Sequence, residues 1–149
     1  MFDGWAALDS AELTTAIGEA PRARSLSEPV RKAVRCVIAH HDRPLVLADL
    51  AALAARTPFQ LIRAFRRELG ITPHALLIRV RVWRGTWRLL QGEPIASIAT
   101  GVGFVDQAHF TRHFKRVHGR TPGRFLGEIA AVELKPADAG GDRCGAGAR

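Results

Sequence analysis

Apolar positions recur at helical rather than strand spacing through the middle of the chain. Val30, Val34, Val37 and Ile38 share one side of a stretch that begins at Pro29 and runs into Asp42-Arg43-Pro44. Proline's fixed φ suits a first helical turn, and the residue before a proline is pushed out of the helical region. This stretch therefore predicts a helix from Pro29 to about His40-His41. Leu47 to Ala55 reads as a short Ala/Leu helix. Thr57-Pro58 then supplies a capping hydroxyl followed by proline, opening a helix to about Leu69 with Gly70 as its C-terminal cap. Thr72-Pro73 repeats the start signal for a longer helix to about Leu90, closed by Gly92. A short helix follows from Pro94 to about Gly101, then a turn at Gly103-Phe104-Val105. Asp106 caps a helix to about Val117, Gly119 ends it, and Thr121-Pro122 starts a last helix through Leu126 or beyond. Strand alternation is scarce and no Asn-Gly or Asp-Gly hairpin occurs, so the fold class is all-α.

This organisation sets the boundaries. Residues 1–28 read as an N-terminal extension and linker, in which Asp9 or Ser10 caps a short helix through Ile17. Residues 29–130 form the folded domain. After Lys135 the chain is Pro, Ala, Gly, Asp and Arg, too poor in apolar surface to order itself, so 131–149 reads as a disordered tail.

The domain contains one pattern twice. Leu50-Ala51, Leu61, Arg63, Phe65, Arg66-Arg67, Gly70 and Thr72-Pro73 are matched by Ile98-Ala99, Phe110, Arg112, Phe114, Lys115-Arg116, Gly119 and Thr121-Pro122. The offset is 48 residues at the start and 49 from the Phe/Arg positions onward, so the second turn is one residue longer. Two copies of a helix, turn and basic helix predict two helix-turn-helix modules joined by the helix Pro73–Leu90, each a three-helix unit. In the first copy Leu61, Phe65 and Leu69 form the apolar stripe, packing on Leu50, Leu53 and Ala54. In the second copy the stripe is Phe110, Phe114 and Val117. Trp83 and Trp87, at i and i+4, are expected to brace the modules. Gly85 between them costs about 1 kcal/mol relative to alanine in a helix and is expected to allow a close helix crossing.

Charge follows the repeat. The chain carries net +8, yet Arg56 to Arg124 alone holds 13 basic residues against Glu68, Glu93 and Asp106. A basic surface concentrated on one repeated element favours a polyanion partner over a merely solubilising surface, which would mix both signs along each helix. The outer face of the first basic helix carries Phe59, Ile62, Arg63 and Arg66. That of the second carries Gln107, Ala108, Thr111, Arg112 and Lys115. Arg pairs bidentately with guanine, Gln with adenine, and the methyl groups of Ala and Thr meet the thymine methyl. Gln107, Ala108, Thr111 and Arg112 are therefore candidate base readers in the second helix and Arg63 in the first, where apolar Phe59 and Ile62 suit thymine-methyl contact or partial burial. Arg66, Arg67, Lys115 and Arg116 are candidate phosphate contacts, with Thr57 at a helix N-terminus whose amides also face phosphate. Asp106 would repel phosphate and is read as a cap. The 18-residue connecting helix spans ~27 Å, and packing at both ends brings the reading helices about one DNA turn, ~34 Å, apart.

Other chemistry is thin. His109 and His113 have a metal-ligand spacing, but His118 is the sole further candidate and no HExxH is present, so packing or polar helix roles are preferred and no metal or cofactor is expected. Cys36 sits in an apolar helical pattern and Cys144 in the Gly-rich tail, with no disulfide framework or CxxC site. No signal-peptide pattern opens the chain and no apolar run approaches the ~20 residues that span a membrane. These features predict a cytoplasmic, nucleoid-associated, non-enzymatic protein.

Residues from about Pro29 to Leu126 resemble the DNA-binding domain of AraC/XylS-type bacterial transcription regulators. The specific part is Ile95-Ala96-x-Ile98-Ala99, Gly103-Phe104-x-Asp106-Gln107-x-His109-Phe110-x-Arg112-x-Phe114-Lys115 and Gly119-x-Thr121-Pro122. The resemblance implies two helix-turn-helices on one long helix, with Phe59, Ile62, Arg63, Gln107, Ala108, Thr111 and Arg112 at base-facing positions, together with promoter binding and contact with RNA polymerase. Ala55 stands where the family often has a turn glycine, Leu76 where an aromatic is frequent, and Gly85 where alanine is frequent. The leading expectation is a sequence-specific regulator of transcription, bound as a monomer to an asymmetric double-stranded site. The alternatives are the DNA-targeting module of a DNA-repair or adaptive-response protein, or the DNA-binding end of a longer effector-responsive regulator.

Overall fold

The computed structural model describes residues 26–133, and among these every regular element is helical. Seven helices follow in order among the described residues: α1 (Glu28–Ala39), α2 (Leu47–Leu53), α3 (Pro58–Leu69), α4 (Pro73–Leu90), α5 (Ile95–Gly101), α6 (Gln107–His118) and α7 (Pro122–Glu133). The expected helix at 10–17 and the stretch after Glu133 lie outside the described residues. Three positions on the extension side of the 28/29 boundary belong to the folded unit, Glu28 as the first residue of α1. Leu26 packs on the core, and Ser27 donates from its amide and hydroxyl to the two Glu68 carboxylate oxygens at 2.9 and 3.0 Å. At the other end α7 continues three residues past position 130.

The caps are local chemistry that the sequence announces. Thr57 and Gln60 form a reciprocal capping box on α3, which satisfies two amides that the helix itself leaves unpaired. The Thr72 hydroxyl accepts from the Ala75 amide on α4, and Asp106 accepts from the His109 amide at 2.7 Å on α6. Helices α3 and α6 both end on a left-handed glycine, Gly70 (φ 70°) and Gly119 (φ 74°).

Two separate apolar cores hang on the single helix α4. The first joins α1, α2 and α3 to its N-terminal half through Leu76, Leu77 and Val80. The second joins α5 and α6 to its C-terminal half through Val82 and Leu89, with Phe125 and Leu126 of α7 against it. The buried face of α4 thus rotates near its midpoint, and this turns the two modules to different sides of one rod.

Four expected packing details are settled by this arrangement, and three are corrected. Leu53 is 49% exposed rather than packed on α3, whereas Leu50 and Ala54 are buried as expected. Val117 is 46% exposed. The α6 stripe keeps a strict spacing of four, so its third member is His118, whose ring lies 4.4 Å from that of Phe114. Trp87 is 56% exposed and does not brace the modules. It sits one residue beyond the buried arc of Val82, Gly85, Thr86 and Leu89, about 100° away on the helix. Trp83 is half-buried, with the Arg84 guanidinium over its ring. Gly85, in contrast, does make the expected close crossing. A Cβ there would lie 2.5 Å from Phe110 Cε2 and 3.2 Å from Ile98 Cγ2.

Ala55 adopts φ 50°, the left-handed region, in the turn between α2 and α3. The corresponding residue of the second module is Gly103, at φ 91°. An L-residue with a Cβ pays about 1–2 kcal/mol there, whereas glycine loses only about 0.5–1 kcal/mol through its freer unfolded chain. Ala55→Gly is therefore expected to stabilise the fold by about 0.5–1 kcal/mol, raising Tm by roughly 2–8 °C for a domain of this size. Thermal melting followed by circular dichroism reads it directly. A Tm at or below that of the parent would mean the turn carries no such strain.

Candidate nucleic-acid interface

The two modules bring equivalent helices, α3 and α6, to their surfaces by the same means. Each is fixed from below by apolar residues at four-residue spacing: Leu61, Phe65 and Leu69 in α3, Phe110 and Phe114 in α6. With those faces buried, the outward positions are dictated by helical geometry. At the repeat offset of 49, Thr57, Phe59, Ile62, Arg63, Arg66 and Arg67 correspond to Asp106, Ala108, Thr111, Arg112, Lys115 and Arg116.

Among the candidate readers Phe59, Arg63, Gln107, Ala108 and Arg112 are exposed, and Ile62 and Thr111 are half-buried. The modules are not equal in preparation. Phe59 is 67% exposed, and the Arg63 guanidinium lies over its ring, 5.7 Å from the centroid. That cation–π contact restrains an otherwise free side chain. In α6 the matching pair is Ala108 and Arg112, with no ring to rest on. Gln107 has no counterpart reader, because Pro58 occupies its place in α3.

The candidate phosphate contacts also divide. Arg66, Lys115 and Arg116 are exposed on the reading helices. Arg67 donates to Glu68 at 2.8 Å. Partial burial pushes the Glu68 carboxyl upward, but hydrogen bonds from the Ser27 amide, from Arg67 and from the Ser27 hydroxyl outweigh it and hold the group below the usual carboxylate range. Arg67 is thus tied to the bond between α3 and the start of α1. The Thr57 hydroxyl oxygen caps Gln60, leaving its proton able to donate outward.

The histidines of α6 form two contacts rather than one cluster. His109 Nε2 and His113 Nε2 are 3.1 Å apart, packed against the Phe104 ring. Burial, then the neighbouring His109, Arg116, His74 and Arg112, lowers the His113 pKa from its ordinary value. His118 turns instead to α4, 2.9 Å from the Thr86 hydroxyl. The Thr86 proton goes to the Val82 carbonyl at 2.9 Å, so His118 Nε2 is the donor. Burial and Arg120 lower the pKa of His118. Among the described residues no three His, Cys, Asp or Glu side chains converge on a metal position. Cys36 is half-buried beside the first core, and burial raises its thiol pKa.

One residue escaped the sequence reading. Arg81 in mid-α4 donates through Nε to the His41 carbonyl at 2.6 Å and through Nη2 to the Arg43 carbonyl at 2.8 Å. Nothing in the sequence separates it from Arg79, Arg84 and Arg88 on the same helix, because its partners are backbone atoms some 40 residues away.

Two capped, arginine-bearing helices, each supported by a short helix and held on one rod, define a double helix-turn-helix domain of the DNA-binding class. A sequence-family model described as a helix-turn-helix domain matches residues 50–128, more than half of the chain. The chain belongs to that family, and its relatives and structural neighbours are AraC-type regulators. It is 32% identical over 100 residues to the regulatory protein Ada of Salmonella typhimurium, a match covering 62% of this chain and 26% of that protein. A probable AraC family transcriptional regulator from Rhodopseudomonas palustris superposes with a TM-score of 0.63 at 28% identity, over 68% of this chain and 97% of that one. The DNA-binding domain of AdpA, solved in complex with a target DNA, superposes with a TM-score of 0.64 at 26% identity, over 74% of this chain and 100% of that one. The matches to Ada and to the Neisseria gonorrhoeae regulator MtrA span only 26% and 27% of those proteins. No helix among the described residues is long and apolar enough to cross a membrane.

Proposed function

We propose that this chain regulates transcription by laying α3 and α6 into two successive major grooves on one face of promoter DNA, bound as a monomer. The observation that carries the reading is the duplicated position of one reader: Arg63 and Arg112 stand at the same place on equivalent, capped helices that attach to either end of one 18-residue helix. In this reading Phe59, Ile62, Arg63, Gln107, Ala108, Thr111 and Arg112 face bases. Thr57, Arg66, Lys115 and Arg116 face phosphates, and Arg67 reaches phosphate only by leaving Glu68. Charge concentrated on the repeat makes binding steeply salt-dependent, while the groups on α3 and α6 supply the sequence preference. The site of action is the cytoplasm at the nucleoid, and RNA polymerase is the protein partner at the promoter.

Selection of bound duplexes from a random DNA library at near-physiological salt tests this. Two short enriched elements about one helical turn apart, ~34 Å, are expected. One element alone would confine base reading to a single module, and no enrichment despite salt-sensitive binding would remove the sequence-specific role.

The likeness to Ada supports a second reading, a DNA-targeting module within an adaptive-response protein. The chain's own cysteines, in Arg35-Cys36-Val37 and Arg143-Cys144-Gly145, lack a PCHR-like setting for a nucleophile. An alkyl-transfer assay tests this chain for that chemistry: transfer to Cys36 or Cys144 would overturn the purely regulatory reading.

A further inference from the structure

Arg81 lies at the midpoint of α4, between Val80, which is buried in the first core, and Val82, which is buried in the second. Its guanidinium touches both modules at once. Toward the first it donates to the His41 and Arg43 carbonyls, in the loop between α1 and α2. Toward the second it lies over the Phe104 ring, 5.9 Å from the centroid. It also rests on Gly103, where a Cβ would come within 2.9 Å of three guanidinium atoms. Gly103 and Phe104 belong to the turn that launches α6, and Phe104 is itself buried in the second core. Glycine suits position 103 by its positive φ, and a Cβ there would press on the Arg81 guanidinium.

The chemistry suits a strut. A guanidinium is planar and offers donors in fixed directions, so two carbonyls define its plane as well as its position. The same plane then presents a face to an aromatic ring. A lysine in its place would give a flexible point charge with no such orientation. The two cores attach to α4 independently, so a contact running from the loop of one to the turn of the other adds a constraint that neither core supplies.

We propose that Arg81 is a positioning residue that sets the register between α3 and α6, and hence the number of base pairs separating the two elements that the protein reads. The proposal rests on the two-groove reading above. Adding one base pair moves the second element by about 3.4 Å and turns it by about 34° around the DNA axis. A protein with a stiff inter-module contact cannot follow that displacement without breaking contacts at one end.

The test uses duplexes carrying both selected elements at the preferred spacing, with one base pair inserted and with one removed. A duplex carrying a single element is the control. Each is titrated with the parent and with Arg81→Met, which keeps the stem but removes the donors. The parent is expected to lose about tenfold or more in affinity on either spacing change, a penalty comparable to a mismatched base pair. In Arg81→Met the penalty is expected to shrink to about threefold or less, with single-element affinity unchanged, because the modules then adjust to the DNA. A merely structural role would lower the active fraction on every duplex alike and leave the spacing ratio intact, and that result overturns the proposal. Where Arg81→Met does not fold, Arg81→Lys retains the charge but loses the planar fork, and the same ratio is read. A parent indifferent to spacing would overturn both the two-groove reading and the role of Arg81. A parent that discriminates spacing beside a variant that discriminates equally overturns only the latter.

Discussion

Phe110→Ala is expected to destabilise the protein by about 3–5 kcal/mol, a large fraction of the 5–15 kcal/mol that holds a typical domain together. Phe110 is fully buried and touches the rings of Phe104 and Phe114 edge-on, at 5.5 and 5.6 Å between centroids. Its ring also fills the space that a side chain at position 85 would take. This last contact gives a sharper form of the prediction. In the parent, Gly85→Ala gains about 1 kcal/mol of helix propensity but drives a Cβ into an aromatic ring with no room to move, an overpacking cost of about 1–3 kcal/mol. The net change is expected to be destabilising. In the Phe110→Ala background only the Ile98 Cγ2 contact at 3.2 Å remains, and the same Gly85→Ala substitution is expected to stabilise by up to about 1 kcal/mol. Urea denaturation of the four proteins measures the cycle. A Gly85→Ala effect of the same sign in both backgrounds would show that the crossing of α4 and α6 is not limited by Phe110. Hydrogen exchange adds a spatial check: amides of α5 and α6 should lose protection in Phe110→Ala before those of α1 to α3, whose core is separate.

Loss of discrimination at one base pair is the expected result of Arg112→Ala, by about 1–3 kcal/mol or roughly 5–150-fold. Arg112 is exposed in the second turn of α6, and no hydrogen bond or ion pair ties its side chain to another described residue. Lys115→Ala should behave differently. It is expected to weaken binding evenly across sequences and to lower the salt dependence by about one ion. Binding to a panel of single-base variants at two or three salt concentrations separates the outcomes. If Arg112→Ala lowers affinity uniformly and leaves the base preference in place, Arg112 is a phosphate contact and the reading surface of α6 must lie at Gln107, Ala108 and Thr111.

Several parts of the interface were legible because their causes are local. Thr57, Thr72 and Asp106 are caps whose side chains bond to amides three residues away, and Gly70 and Gly119 are C-caps whose φ any neighbour would allow. The reader positions followed from the repeat, since a buried stripe at four-residue spacing leaves one face outward. Where local reasoning departed from its own rule it failed. Extending the α6 stripe to Val117 broke the spacing of four, and the repeat itself, which pairs Leu69 with position 118, held the correction. Trp87 failed for another reason. Size and apolarity favour burial on average, but the buried arc of α4 changes face at its midpoint, and no periodicity within a single helix reveals which neighbour arrives on which side.

The sequence by itself determined where the helices start and which residues cap them, most of the apolar stripes, that the pattern is duplicated, and that the basic charge rides on the duplicated helices. All of these depend on residues within a few turns of one another. Only the tertiary structure decided which ring meets Gly85, that Ala55 takes a left-handed φ, and why Arg81 differs from the other arginines of α4. Those answers depend on an aromatic ring 25 residues away, on a turn closed by packing, and on two carbonyl oxygens some 40 residues distant. Long-range approach of that kind is fixed by how two cores share one helix, and a helix carries no mark of its partners until they are packed against it.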